Sequence, residues 1–217
     1  KRPTGNEAYA YCDSLEYGGK NDWRLPAPHE MVTIVDEAYD YPMVDQTYFT
    51  DIPGVHPGRS FWTDDVKIIN FYSDGWIYSY PSKDDIYFVM CVRGKKLPKA
   101  RLEVSTVGND KIAKDSSTGL AWTLRDHSAD EWEEALSYCM NLTYAGKTGW
   151  RLPNKNELVS LVNFGEAAPI EFYGLWTDCW SSTSTTGNAA MVSLNGKLEY
   201  VGKTDRGYAV ICVGNFD

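Results

Sequence analysis

One tract of this chain occurs twice, and that duplication limits the fold more than any other feature. Ala8-Tyr-Ala-Tyr-Cys12, Leu15, Gly18-Gly-Lys20, Trp23-Arg24-Leu25-Pro26 and Glu30-Met-Val form the first copy. Ala135-Leu-Ser-Tyr-Cys139, Leu142, Gly146-Lys147, Trp150-Arg151-Leu152-Pro153 and Glu157-Leu-Val form the second. The offset stays at 127 residues without a gap (139 − 12, 150 − 23, 157 − 30). A repeat of this length implies two copies of one folding unit.

The correspondence continues beyond that tract. Asp74-Gly75 matches Asn195-Gly196, and Val89-Met-Cys91-Val92 matches Val210-Ile-Cys212-Val213, both at an offset of 121 (195 − 74, 212 − 91). Trp62-Thr63 matches Trp180-Ser181 at 118 (180 − 62). The drifting offset places insertions in mid-unit loops, where closure entropy tolerates them. Gly94-Lys-Lys-Leu-Pro98-Lys breaks the pattern, so the expected domains are 1–97 and 98–217. Only the second copy has material ahead of its cysteine helix. Arg101–Val104 and Ile112–Trp122 read as two strands around a turn, whereas Lys1 to Asn6 stand alone in the first copy. The first domain is therefore expected to lack an N-terminal strand, most simply because the chain is a fragment. A missing strand leaves an edge that another chain could fill.

Four of the five cysteines sit at repeated positions, one in the first helix and one in the last strand of each copy. That pattern suggests the disulfides Cys12–Cys91 and Cys139–Cys212, and with them an oxidising compartment: the cell exterior, the cell surface or the periplasm. The alternative is four buried thiols. Cys179 has no counterpart, because Phe61 takes its place; it reads as a buried unbridged thiol or an intermolecular bridge.

Each first helix is expected after a capping box, Thr4-Gly-Asn-Glu7 or Ser128-Ala-Asp-Glu131, with Gly18 and Gly146 as the stops. Each second helix is expected after Ala27-Pro28-His29-Glu30 or Asn154-Lys-Asn-Glu157. Asp74-Gly75 and Asn195-Gly196 each turn an alternating hairpin, and a final strand (Tyr87–Val92, Gly207–Val213) carries the last cysteine. The fold class is α+β.

These residues resemble a known family. A helix cysteine, Gly-x-x-x-Trp-Arg-Leu-Pro-x-x-x-Glu, a mid-domain Trp-[Ser/Thr], a hairpin and a closing Cys-Val strand look like the Legionella collagen-like protein C-terminal domain family (Lcl_C). Thr118-Gly119-Leu120-Ala121-Trp122 resembles that family's opening strand. The resemblance implies two tandem C-type-lectin-like domains, each with two helices on a small, mainly antiparallel sheet. Formylglycine-generating-enzyme-type domains share the Arg-Leu-Pro-x-x-x-Glu tract and that topology. The resemblance further implies a secreted or surface-exposed bacterial protein acting in adhesion, including glycan binding. The Glu-Pro-Asn, Gln-Pro-Asp and Trp-Asn-Asp motifs of calcium-dependent lectins are absent.

Net charge is −9, with 10 basic and 15 acidic residues up to Leu97 and 11 and 15 after it. That balance disfavours nucleic acid and polyanionic glycans as partners, and no apolar run of 18 residues suits a membrane span. Histidines 29, 56 and 127 stand alone, without metal spacing, and neither Gly-x-Ser-x-Gly nor a phosphate loop occurs. The expectation is a protein that is not an enzyme and needs no cofactor. Arg24 with Glu30, and Arg151 with Glu157, read as structural ion pairs. The candidate ligand-binding residues crowd the hairpin of the first copy: Trp62, Asp64, Asp65, Tyr72, Asp74, Trp76, Tyr78 and Tyr80. Aromatic faces stack on sugars, and Asp64, Asp65 and Asp74 are candidate oxygen ligands for calcium. In the second copy Ser184, Thr186 and Asn188 lie in a loop dense in hydroxyls. The leading expectation is an extracellular binding module for a glycan or a surface protein. The rival is a structural subunit that self-assembles into an oligomer or filament through strand or domain contacts.

Overall fold

The computed structural model describes residues 3–36, 38–39, 43–50, 52, 60–65, 67–71, 77–78, 82–97, 100–125, 127–162, 172, 178–194 and 196–215. The chain divides into two compact units, Lys1–Leu97 and Pro98–Asp217, and both are α+β.

In the first unit, helix α1 (Gly5–Asp13) begins where the Glu7 carboxylate reaches back to the Thr4 amide (2.8 Å) and hydroxyl (3.1 Å). It buries Ala8 and Cys12. Strand β1 (Trp23–Arg24) leads to helix α2 (Pro28–Val32), which has no capping side chain. Glu30 nonetheless accepts the Ala27 amide at 2.8 Å, and Pro28 needs no partner at the first position. Strands β2 (Ser60–Trp62), β3 (Ile68–Asn70) and β4 (Ile77–Tyr78) form one antiparallel sheet. Strand β5 (Val92–Arg93) pairs antiparallel with β1, Trp23 opposite Arg93 and Arg24 opposite Val92. Cys12–Cys91 joins α1 to the closing segment beside a core of Ala8, Cys12, Leu25, Trp62 and Ile68.

The second unit opens with strands β6 (Leu102–Val107), β7 (Asp110–Asp115) and β8 (Leu120–Thr123). That is three strands where the sequence suggested two. Ile112–Asp115 and Leu120–Trp122 are separated by a tight turn in which Asp115 accepts the Ser117 amide and hydroxyl and the Thr118 hydroxyl; the turn ends one strand and starts another. Strand β9 (Ser128–Ala129) and helix α3 (Trp132–Asn141) follow, then helix α4 (Lys155–Leu161). Strands β10 (Asp178–Ser184), β11 (Asn188–Ser193), β12 (Leu198–Gly202), β13 (Tyr208–Ala209) and β14 (Val213–Asn215) complete the unit. One sheet has the order β12-β11-β10-β13-β9 and the other β14-β8-β7-β6. The β11–β12 pairing surrounds the expected Asn-Gly turn, where Gly196 has φ 113°. Cys139–Cys212 joins α3 to the closing segment.

Three local expectations fail for identifiable reasons. Ser128 does not cap α3. Ser128 and Ala129 instead pair with Ala209 and Tyr208, and the helix starts three residues later with Glu134 accepting the Asp130 amide at 2.9 Å. Neither Gly18 nor Gly146 ends a helix. Tyr17 bridges Lys20 and Tyr144 bridges Lys147, each around two left-handed residues: Gly18 (φ 60°) and Gly19 (φ 70°), or Ala145 (φ 52°) and Gly146 (φ 71°). These are hairpin-type turns that need positive φ at both centres. Finally, the single closing strand of the second unit is two. β13 runs parallel to β10, Ala209 opposite Cys179, whereas β14 pairs with β8. Between them the chain changes sheets. The first unit repeats the crossover, with Phe88 bridging Phe61 in parallel before β5 begins.

Candidate functional site

The twice-occurring Trp-Arg-Leu-Pro tract is the hub of each unit. The Trp23 indole donates to the carbonyls of Tyr17 (3.3 Å) and Lys20 (3.2 Å). Trp150 donates to those of Tyr144 (3.3 Å) and Lys147 (3.2 Å). Each indole thus holds the preceding turn closed. The proline carbonyls anchor the next motif: Pro26 accepts the Asp64 amide and Pro153 the Ser182 amide, at 2.9 and 2.7 Å. Trp150 is buried and Trp23 half-exposed.

Both arginines hold their glutamates in two-pronged pairs. Arg24 reaches Glu30 at 2.7 Å on each prong, and Arg151 reaches Glu157 at 2.7 and 2.6 Å. Glu30 also accepts the Leu97 amide at 2.9 Å, while Glu157 and Asn154 cap each other's amides. Burial pushes the Glu30 carboxyl up, but the Arg24 guanidinium and the Leu97 and Ala27 amides outweigh it and hold it at about 2. Glu157 is lowered by the same balance, with burial opposing Arg151 and the Asn154 amide. Every oxygen of these carboxylates has a partner within the unit, so the pairs act on the backbone.

The first-unit candidates divide. Trp62 is wholly buried and donates to the Pro3 carbonyl at 2.9 Å; it packs edge-on against Tyr87 at 5.1 Å. It is a core residue and offers no stacking face to a ligand. Asp64 is half-buried in an ion pair with Lys96, its other oxygen buried with no hydrogen-bond partner among the described residues, and Asp65 is exposed. Both lie near Tyr9, whose phenol is pushed up to about 12 by burial and then by the two carboxylates. Tyr78 stands in β4 opposite Ile68. Tyr72, Asp74, Trp76 and Tyr80 lie outside the described residues. Calcium takes six to eight oxygens. Among the described residues no group of three or more His, Cys, Asp or Glu gathers to hold a metal ion, and at Asp64 a cation would compete with the Lys96 ammonium.

In the second unit the hydroxyl-rich segment becomes β10, a turn, and β11. Several hydroxyls serve the backbone. Ser181 accepts the Thr183 amide at 3.0 Å, Thr183 the Lys155 amide at 3.1 Å, and Thr185 the Asn188 amide at 3.2 Å. Ser184 is half-buried opposite Ala189, while Thr186 and Asn188 are exposed at the hairpin tip. Two residues not foreseen from sequence adjoin that tip. The Lys203 amide donates to the Gly187 carbonyl at 3.1 Å, and the Trp132 amide to the Lys203 carbonyl at 2.9 Å. The Lys203 ammonium lies 4.3 Å from the centre of the Trp132 ring. Trp132 and Lys203 are 71 residues apart (203 − 132), so no local pattern could pair them. The hairpin tip thus carries exposed hydroxyl and amide groups beside an ammonium and an indole, a set suited to hydrogen-bonding a polar ligand.

Cys179 is buried outside either disulfide. Burial, then the charge of Asp178, pushes its thiol far up, which opposes the thiolate a nucleophile needs. Among the described residues no helix is long and apolar enough to cross a membrane.

The profile of the family described as Lcl C-terminal domain matches residues 2–93 and again 111–214. No curated protein and no solved structure matches the chain.

Proposed function

Because the chain belongs to the Lcl C-terminal domain family, in two successive copies, we propose that it is a non-catalytic binding module of a bacterial surface, recognising a glycan or a surface protein through lectin-like domains. Family membership supports the surface association, and two disulfides suit an oxidising exterior. The observation that carries the reading is the hairpin tip of the second unit. Thr186 and Asn188 are exposed at the β10–β11 hairpin tip, beside Lys203 and Trp132, in a unit crosslinked by Cys139–Cys212. A rigid frame with exposed polar groups at its rim binds without the ordering cost of a mobile loop. The acidic balance directs the reading to neutral rather than sulfated sugars.

A broad glycan array, run beside a cell-adhesion assay, tests it. Binding of neutral glycans that falls at least tenfold in a Thr186→Ala/Asn188→Ala double variant is expected. Silence on both assays sinks the proposal.

A further inference from the structure

One backbone hydrogen bond is made alike in both units. The Gly5 amide donates to the Lys83 carbonyl at 3.0 Å, and the Trp132 amide to the Lys203 carbonyl at 2.9 Å. Gly5 and Trp132 each open the first helix of their unit and occupy one position of the repeat (132 − 5 = 127). The two lysines correspond at an offset of 120 (203 − 83). The bond fastens the start of that helix to a distant turn and needs no side chain at either end. In the first unit glycine fills the position, and a Cβ there would lie 3.5 Å from the Trp62 ring. In the second unit the same position carries an indole. The shared frame makes no demand for that ring.

The surroundings of the ring are the second observation. Trp132 packs against the core of the second unit yet stays partly exposed. Its Nε1–H donates to the Ser181 carbonyl at 2.7 Å, which fixes the plane of the ring. The Lys203 ammonium lies over that plane, 4.3 Å from its centre. The lysine main chain is held, since its amide donates to the Gly187 carbonyl at 3.1 Å. Its ammonium is not held in the same way. It ends a flexible four-carbon stem, and a cation over a partly solvated ring is bound weakly. Gly187 stands between Thr186 and Asn188, both exposed. A fixed indole under a displaceable cover therefore adjoins a hydroxyl and an amide.

We propose that the Trp132 ring is the platform on which a sugar stacks, and that the Lys203 ammonium covers it until the sugar takes its place. The inference rests on the glycan reading above and names the ligand class: pyranosides with one unbroken C–H face, β-galactosides foremost. The axial hydroxyl of a galactoside leaves its C–H bonds together on the opposite face. The negative face of an indole attracts such C–H bonds, and the hydroxyls at the sugar's rim are left to Thr186 and Asn188. Sugar and ammonium compete for one face, so Trp132 supplies affinity and Lys203 lowers it.

The test is titration of the whole chain with methyl β-D-galactopyranoside, followed by the indole N–H resonances. A saturable shift of the Trp132 signal is expected. Trp132→Ala is expected to weaken binding about tenfold. Lys203→Ala is expected to strengthen it about threefold by uncovering the ring, and this variant keeps the test open if Trp132→Ala does not fold. Weaker binding in Lys203→Ala overturns the proposal, because it assigns the ammonium to the ligand. Binding that leaves the Trp132 signal unmoved also overturns it. No galactoside binding, beside other neutral glycans bound on the array, overturns this inference and leaves the glycan reading standing. A silent array removes both.

Discussion

Glu30 shows how one carboxylate can organise a unit. It accepts from Arg24, Ala27 and Leu97 at once, and its carboxyl falls from an ordinary 4.5 to about 2. A group held below its unfolded value stabilises the fold above that unfolded value and loses the effect as pH falls through the folded one. The first unit should therefore weaken between pH about 4.5 and 2, by an amount on the order of 3 kcal/mol. In Glu30→Gln that pH dependence should vanish from acid-unfolding curves. The ion pair was legible in sequence, because Arg and Glu recur six residues apart in both copies (30 − 24, 157 − 151). The Leu97 amide was not, since it arrives from 67 residues away. A second residue-scale prediction concerns Gly146. Its φ is 71°, and a Cβ there would meet nothing within 4 Å. Gly146→Ala should therefore cost only backbone strain, about 1 kcal/mol in denaturant unfolding. No change at all would mean that the turn is not left-handed.

At the scale of elements, hairpins and second helices were readable because their signals are local. β11 pairs back onto β12 with Gly196 at φ 113° between them, and Asn154 with Glu157 caps α4. Ser128-Ala-Asp-Glu131 carries an equally good box, yet Ser128 joins a sheet. Pairing with β13, 81 residues on (209 − 128), outweighed a local cap, and nothing in the sequence announces it. Trp62 was a candidate for its aromatic face alone, but its strand is buried on both faces. The disulfides are the elements whose removal should be felt most. Cys139–Cys212 spans 73 residues, and closing a loop of that length stabilises by roughly 4 kcal/mol. A Cys139→Ala/Cys212→Ala variant should lower the unfolding transition of the second unit by about that amount, a large part of a domain's usual 5–15 kcal/mol.

For the whole molecule, duplication is the central fact. Each copy repeats the indole that closes a turn, the proline carbonyl that receives the Trp-[Ser/Thr] segment, the two-pronged ion pair and the helix-to-strand disulfide. Outside that frame the second copy carries the hydroxyl-rich tip of Thr186 and Asn188, and the proposed binding rests on that tip. The frame itself is tested most directly by counting thiols. Intact mass of the unreduced chain, denatured and alkylated, should show a single adduct, at Cys179, and five after reduction. Three or five adducts before reduction would contradict the disulfide frame and, with it, the assignment to an oxidising exterior.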